Sequence, residues 1–153
     1  SEYVHSLDNN HLVLGGIEAF VDGEYSDISG PDMTTGNNVD NVEIASGHLY
    51  RKYLKDQTSK EDLRHVIKTW TDNARTLNKP LIIGEIGFPK IEGIDREAWF
   101  KELLEEVRES EVSGVFLWNF SMYVGDPYAI SPEVEEDRNM LKSLEKLIPR
   151  VTF

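Results

Sequence analysis

Cysteine is absent from all 153 residues, which removes disulfide scaffolds, thiolate zinc sites and thiol nucleophiles together. That absence leaves the compartment open, secretion and cytosol alike. No window approaches the roughly 18 consecutive apolar residues that a membrane span needs, so no bilayer crossing is expected. Basic residues are scarce: 16 Lys and Arg stand against 28 Asp and Glu, and the net charge of −12 repels nucleic acid and anionic membranes. A neutral ligand suits such a surface better. No His/Asp pairing at ligand spacing argues for a metal, Gly15-Gly16 is too little for a phosphate loop, and no cofactor is expected.

What the chain does contain is four short apolar runs, each ending in residues able to do chemistry: HLVLGGIEAF (11–20), VEIASGHLY (42–50), PLIIGEIGF (80–88) and GVFLWNF (114–120). Continuous rather than alternating apolar runs belong to strands covered on both faces, which in a β-α-β-α order means a parallel sheet. Strands are expected at His11 to Gly15, Val42 to Gly47, the PLIIG run and Val112 to Trp118. Residues 16–41 are rich in Gly, Asp, Asn and Ser and far exceed a usual connection, so a functional loop or a short internal helix is expected there.

Helices fill the other intervals. Ser59 is an N-cap, with Asp62 placed to bond back, for a helix with Leu63, Val66, Ile67, Trp70 and Ala74 on one face. Asp95 caps a second, striped by Trp99, Phe100, Leu103, Leu104 and Val107. Ser131-Pro132 is expected to start a last helix carrying Met140, Leu141, Leu144, Leu147 and Ile148. Trp70 and Trp99 lie on helix stripes and read as packing residues. The opening residues, with Tyr3, Val4 and Leu7 stopped by Asp8-Asn9-Asn10, read as the last turns of a helix over residues 1–10, and the chain is expected to have lost a preceding segment. The whole, residues 1–153, is one domain's worth of chain.

Four β/α units make half of a TIM (β/α)8 barrel with parallel strands. In such barrels function sits at strand C-termini and the loops after them. Here those positions are Glu18, His48, Tyr50, Glu85, Trp118 and Asn119.

The same segments resemble strands five to eight of glycoside hydrolase family 5, and within that family the endo-β-1,4-mannanases most. The resemblance implies that this half is the C-terminal half of the TIM (β/α)8 barrel. LDNNHLVLGGIEAF is similar to the fifth strand, VEIASGHLY to the sixth with its His-x-Tyr, NKPLIIGEIGFP to the seventh with its Glu-x-Gly, and GVFLWNF to the eighth with its Trp. GDPYAISP, with Asp126, Tyr128 and Ser131, looks like the eighth loop. The resemblance implies that Glu85 is the nucleophile of a retaining glycosidase, that Tyr50 holds it by a phenol hydrogen bond and that His48 lines the subsite where the bond breaks. It further implies a sugar platform at Trp118 and a role near sugar hydroxyls for Glu18, with Asn119 beside the platform.

One departure bears on activity. The family's general acid/base is the Glu of an Asn-Glu pair ending the fourth strand, and this sequence contains no Asn-Glu dipeptide. The family's upstream Arg, His and Asn are likewise expected on the first four strands. A retaining mechanism needs two carboxyls, so the resemblance implies a partner, an N-terminal half-barrel chain or fragment, beside a polysaccharide substrate. Two other readings stay open: a non-catalytic carbohydrate-binding half-barrel, and a β-1,4-glucanase of the same family.

Overall fold

The computed structural model describes residues 2–21, 32–123 and 125–148. Helix α1 (Glu2–Leu7) and helix α2 (Met33–Asn37) precede strand β1 (Ala45–Tyr50), which runs into a 3-10 turn at Arg51–Tyr53. Helix α3 (Lys60–Thr76), strand β2 (Leu81–Gly87), helix α4 (Arg96–Glu109), strand β3 (Val112–Leu117) and helix α5 (Glu135–Leu144) follow in strict alternation. The sheet has the order β1-β2-β3 with every pair parallel. This is a partial α/β barrel, consistent with the C-terminal half of a TIM barrel.

Hydrophobic spacing explains the helical layer. Leu63, Ile67 and Trp70 of α3 and Phe100 and Leu103 of α4 recur at helical spacing and are fully or almost fully buried. They meet Leu81, Ile83 and Ile86 of β2, also buried, in one core. The caps are local: Ser59 Oγ accepts from the Asp62 N–H, and an Asp95 carboxylate oxygen accepts from the Ala98 N–H at 2.9 Å. Each cap of this type contributes about 1 kcal/mol. Asp62 does not complete a capping box; its carboxylate takes the Asp56 N–H instead.

Three sequence expectations are corrected. The run His11 to Gly15 is no strand: it is reduced to a parallel bridge between Leu14 and Ile44, with the Val13 carbonyl accepting from Glu43 and Ile44. The physical reason is Asn37. Its buried side-chain amide accepts from Ser46 N–H at 2.9 Å and donates to Ser46 C=O at 3.0 Å, occupying the ladder positions that an adjacent strand would take. Second, β1 runs Ala45–Tyr50 rather than Val42 to Gly47, so its polar end belongs to the strand. Third, α5 begins at Glu135, after Val134, not at Ser131-Pro132. Ser131 closes a turn instead, its carbonyl accepting from Val134 and its hydroxyl from Glu133. Ile148 lies past the helix and is exposed, whereas Met140 and Leu144 are buried.

Candidate active site

The C-terminal ends of β1 and β2 are pushed out of step by one residue. Gly47 pairs with Ile83 but His48 pairs with Glu85, so Gly84 is the extra residue of a bulge. A side chain at Gly84 would press on the His48 ring, whose Nε2 lies 3.1 Å from the Cβ position. The bulge therefore sets His48, Tyr50 and Glu85 at one rim of the sheet.

There the Tyr50 hydroxyl donates to Glu85 Oε2. His48 Nδ1 lies between two carboxylates, 3.7 Å from Glu85 Oε2 and 3.6 Å from Glu18 Oε1. Glu18 is carried by an irregular segment whose next residue, Ala19, is buried in the left-handed region at φ 53°. That conformation costs roughly 1–2 kcal/mol for a residue with a Cβ. It is held by the Trp70 indole N–H, which donates to Ala19 C=O at 2.7 Å. The second oxygen of Glu18 is buried without a hydrogen-bond partner. A buried, unpaired carboxylate oxygen is unfavourable until a donor reaches it.

Aromatic rings wall the carboxylates. Tyr50 meets Tyr53 and Tyr128 edge-on at 5.7 and 5.3 Å, and Phe20 meets Tyr53 at 4.6 Å. Lys52 Nζ stands 4.8 Å over the Tyr53 ring. Gly87 is required for this wall, since a Cβ there would lie 2.8 Å from Tyr128 and 2.9 Å from Tyr50. Trp118 follows β3, its N–H donating to Ile86 C=O at 2.7 Å, and its side chain is 39% exposed. The Trp118–Asn119 peptide is cis. Asn119 is turned to its own loop, donating to Asp126 at 2.8 Å, while its amide oxygen is buried without a partner. The Tyr128 N–H and that Asn119 amide hold the Asp126 carboxyl below the ordinary range.

Burial, then the hydrogen bond to Glu85 and the charges of Glu85 and Glu18, push the Tyr50 phenol above its ordinary value of 10.0. A group with a raised pKa binds its proton more tightly when folded, so the stability it contributes is complete below about pH 10 and is lost as pH rises beyond. Thermal melts from pH 8 to 11 should fall more steeply for the parent chain than for Tyr50→Phe. Equal slopes would place the titration elsewhere.

Of the six residues singled out from sequence, the structure gathers Glu18, His48, Tyr50 and Glu85 into one group. Trp118 stands at the end of the neighbouring strand, and Asn119 bonds within its loop. Tyr53, Phe20 and Lys52 join the rim without having been singled out; for Tyr53 the signal was its period from Tyr50 through a single turn. A depression of about 560 Å³ lies away from this group, beside Glu2, Tyr3 and Asn38 to Asp40. The Glu85 group faces an open half-barrel instead of a closed cleft.

Parallel strands alternating with helices, with a carboxylate, a phenol, an imidazole and an indole near their C-terminal ends, make a partial (β/α) barrel with the fold seen in family 5 glycoside hydrolases. No family model matches the chain. It is similar to mannan endo-1,4-beta-mannosidase 5 of Arabidopsis thaliana, 23% identical over 88% of this chain and 38% of that one. It is 29% identical to mannan endo-1,4-beta-mannosidase 7 of Oryza sativa subsp. japonica over 57% of this chain and 27% of the rice protein. Among solved structures, the hyperthermostable endo-1,4-beta-D-mannanase from Thermotoga petrophila superposes with a TM-score of 0.75 at 19% identity, covering 96% of this chain and 49% of its own. The chain is thus similar in sequence to mannanases, shares its fold with glycosidase structures, and spans less than half the length of these proteins.

Proposed function

We propose that the chain supplies strands five to eight of a retaining β-glycoside hydrolase, an endo-β-1,4-mannanase, in which Glu85 is the nucleophile and an N-terminal half-barrel supplies the acid/base. The observation that carries this reading is the Tyr50–Glu85 hydrogen bond across the ends of β1 and β2. A phenol donor orients the carboxylate and favours its charged form. Ionised Glu85 attacks the anomeric carbon and displaces the leaving oxygen, which takes its proton from the partner's carboxyl. Water, deprotonated by that same carboxylate, then releases the sugar from Glu85. His48 lines the subsite where the bond breaks, Glu18 offers its unpaired oxygen to a hydroxyl, and Trp118 lies flat under the sugar. The mannanase relatives support mannan as the polymer.

A reagent that needs no acid tests this on the chain itself. Attack by Glu85 on a 2-deoxy-2-fluoro-β-mannosyl fluoride expels fluoride and leaves the sugar bound as a trapped glycosyl-enzyme. The expected result is one adduct by intact mass, mapped by peptide mass spectrometry to Glu85, and slower labelling by the glucosyl reagent. Faster glucosyl labelling would make the polymer a glucan. Oligosaccharide binding with no adduct would favour a half-barrel that binds and does not cleave.

A further inference from the structure

Arg96 opens α4 and is almost wholly buried, yet lies on none of the strands that carry the site. Its guanidinium spans three parts of the chain. Nε donates to Phe88 C=O at 2.8 Å, one residue past β2. Nη2 donates to Tyr128 C=O at 2.6 Å and Nη1 to Ala129 C=O at 3.1 Å, both in the loop after β3. Nη1 also meets Asp137 of α5 at 3.0 Å. The other Asp137 oxygen takes Lys90 Nζ at 2.6 Å and the Ser131 N–H at 2.8 Å.

The carbonyls that Arg96 grips belong to residues that hold the Trp118 turn. Tyr128 C=O also accepts from Asn119 N–H, and Ile130 N–H donates to Asn119 C=O at 2.7 Å. The Tyr128 ring, in turn, packs on Tyr50. One buried cation thus bonds to the segment behind Glu85 and to the loop that fixes Trp118. Removing one partner of such a pair leaves the other charge buried and unpaired, which is why the network acts as a unit.

We infer that Arg96, closed by Asp137 and Lys90, is a positioning residue that fixes the Trp118 platform relative to Glu85. The purpose, sugar binding, rests on the glycosidase reading; the mechanical claim does not. Trp70 and Trp99 are buried, so collisional quenching by iodide reports Trp118, and the difference from Trp118→Phe isolates its share. Arg96→Lys keeps the charge but cannot fan over four acceptors. Well below its melting temperature, its Trp118 quenching should rise toward that of a free indole, with Lys90→Gln showing a smaller rise. Parent-like quenching in folded variants overturns the inference.

A second measurement needs no variant. Hydrogen exchange in the parent chain should show Ile130 and Ser131 amides protected like those of β2, and free exchange there also overturns the clamp. Binding of mannohexaose is read separately. A rise in quenching without glycan affinity in any variant or parent leaves the clamp standing and removes the sugar assignment. Where parent affinity exists, Arg96→Lys should weaken it about tenfold or more, the scale on which misplaced site groups act.

Discussion

Replacing Glu85 by Gln should abolish formation of the covalent mannosyl adduct while the protein still folds. The substitution keeps the shape and removes the nucleophilic charge, and the amide oxygen still accepts from the Tyr50 hydroxyl. In an assembly that also carries the acid/base carboxyl, turnover on mannan should fall on the order of 10⁴-fold or more, the scale found when a nucleophile is removed from a catalytic unit. On the proposed reading, affinity for mannohexaose should change little, because the substitution leaves Trp118 and Glu18 in place. Full labelling of Glu85→Gln at another carboxylate, Glu18 above all, would reassign the nucleophile.

The second large effect is on stability. Trp70→Ala should destabilise the chain by about 3–5 kcal/mol, the range for truncating a large buried aromatic. For a domain of this size that corresponds to a fall in melting temperature on the order of 10 °C. The indole is almost fully buried in the core, and its N–H secures the left-handed Ala19 beside Glu18. Trp70→Phe separates the two roles. It keeps most of the ring volume and orphans the Ala19 carbonyl, so it should cost less stability while still loosening Glu18. Comparable melting losses for both variants would mean that the hydrogen bond, not the packing, dominates.

Periodicity carried most of the architecture. The stripes of α3 and α4, their caps at Ser59 and Asp95, and the parallel order of the sheet all follow from spacing that a reader of the sequence can count. Interactions between distant segments did not follow from it. Nothing in HLVLGG signals that Asn37, more than twenty residues on, takes the ladder groups of Ser46, so the run was given to a strand on its apolar content. Ser131-Pro132 has the composition of a helix start, but Asp137 draws the Ser131 N–H into the Arg96 network and the helix waits until Glu135. For the site, His48, Tyr50 and Glu85 were legible because strand ends are sequence-local, whereas Glu18 lies on an irregular segment. Arg96 carries no signal in the sequence beyond its place after the Asp95 cap, since its meaning lies in carbonyls that composition does not display.

Asn37 also decides how copies of this chain can stick to one another. An unpaired strand edge is a template for a foreign strand. At the β1 side the Ser46 groups are already taken by the amide, and beyond them lies only a single bridge. β1 and β3 are the two outer strands of the described sheet, and on the β1 edge the Ser46 position is closed to a foreign strand. Copies joining edge to edge through β3 alone use the same surface on each and close at two; open-ended growth needs two complementary surfaces on each subunit. A single side-chain amide thereby removes from the β1 edge one of the hydrogen-bonding positions that open-ended strand addition would use.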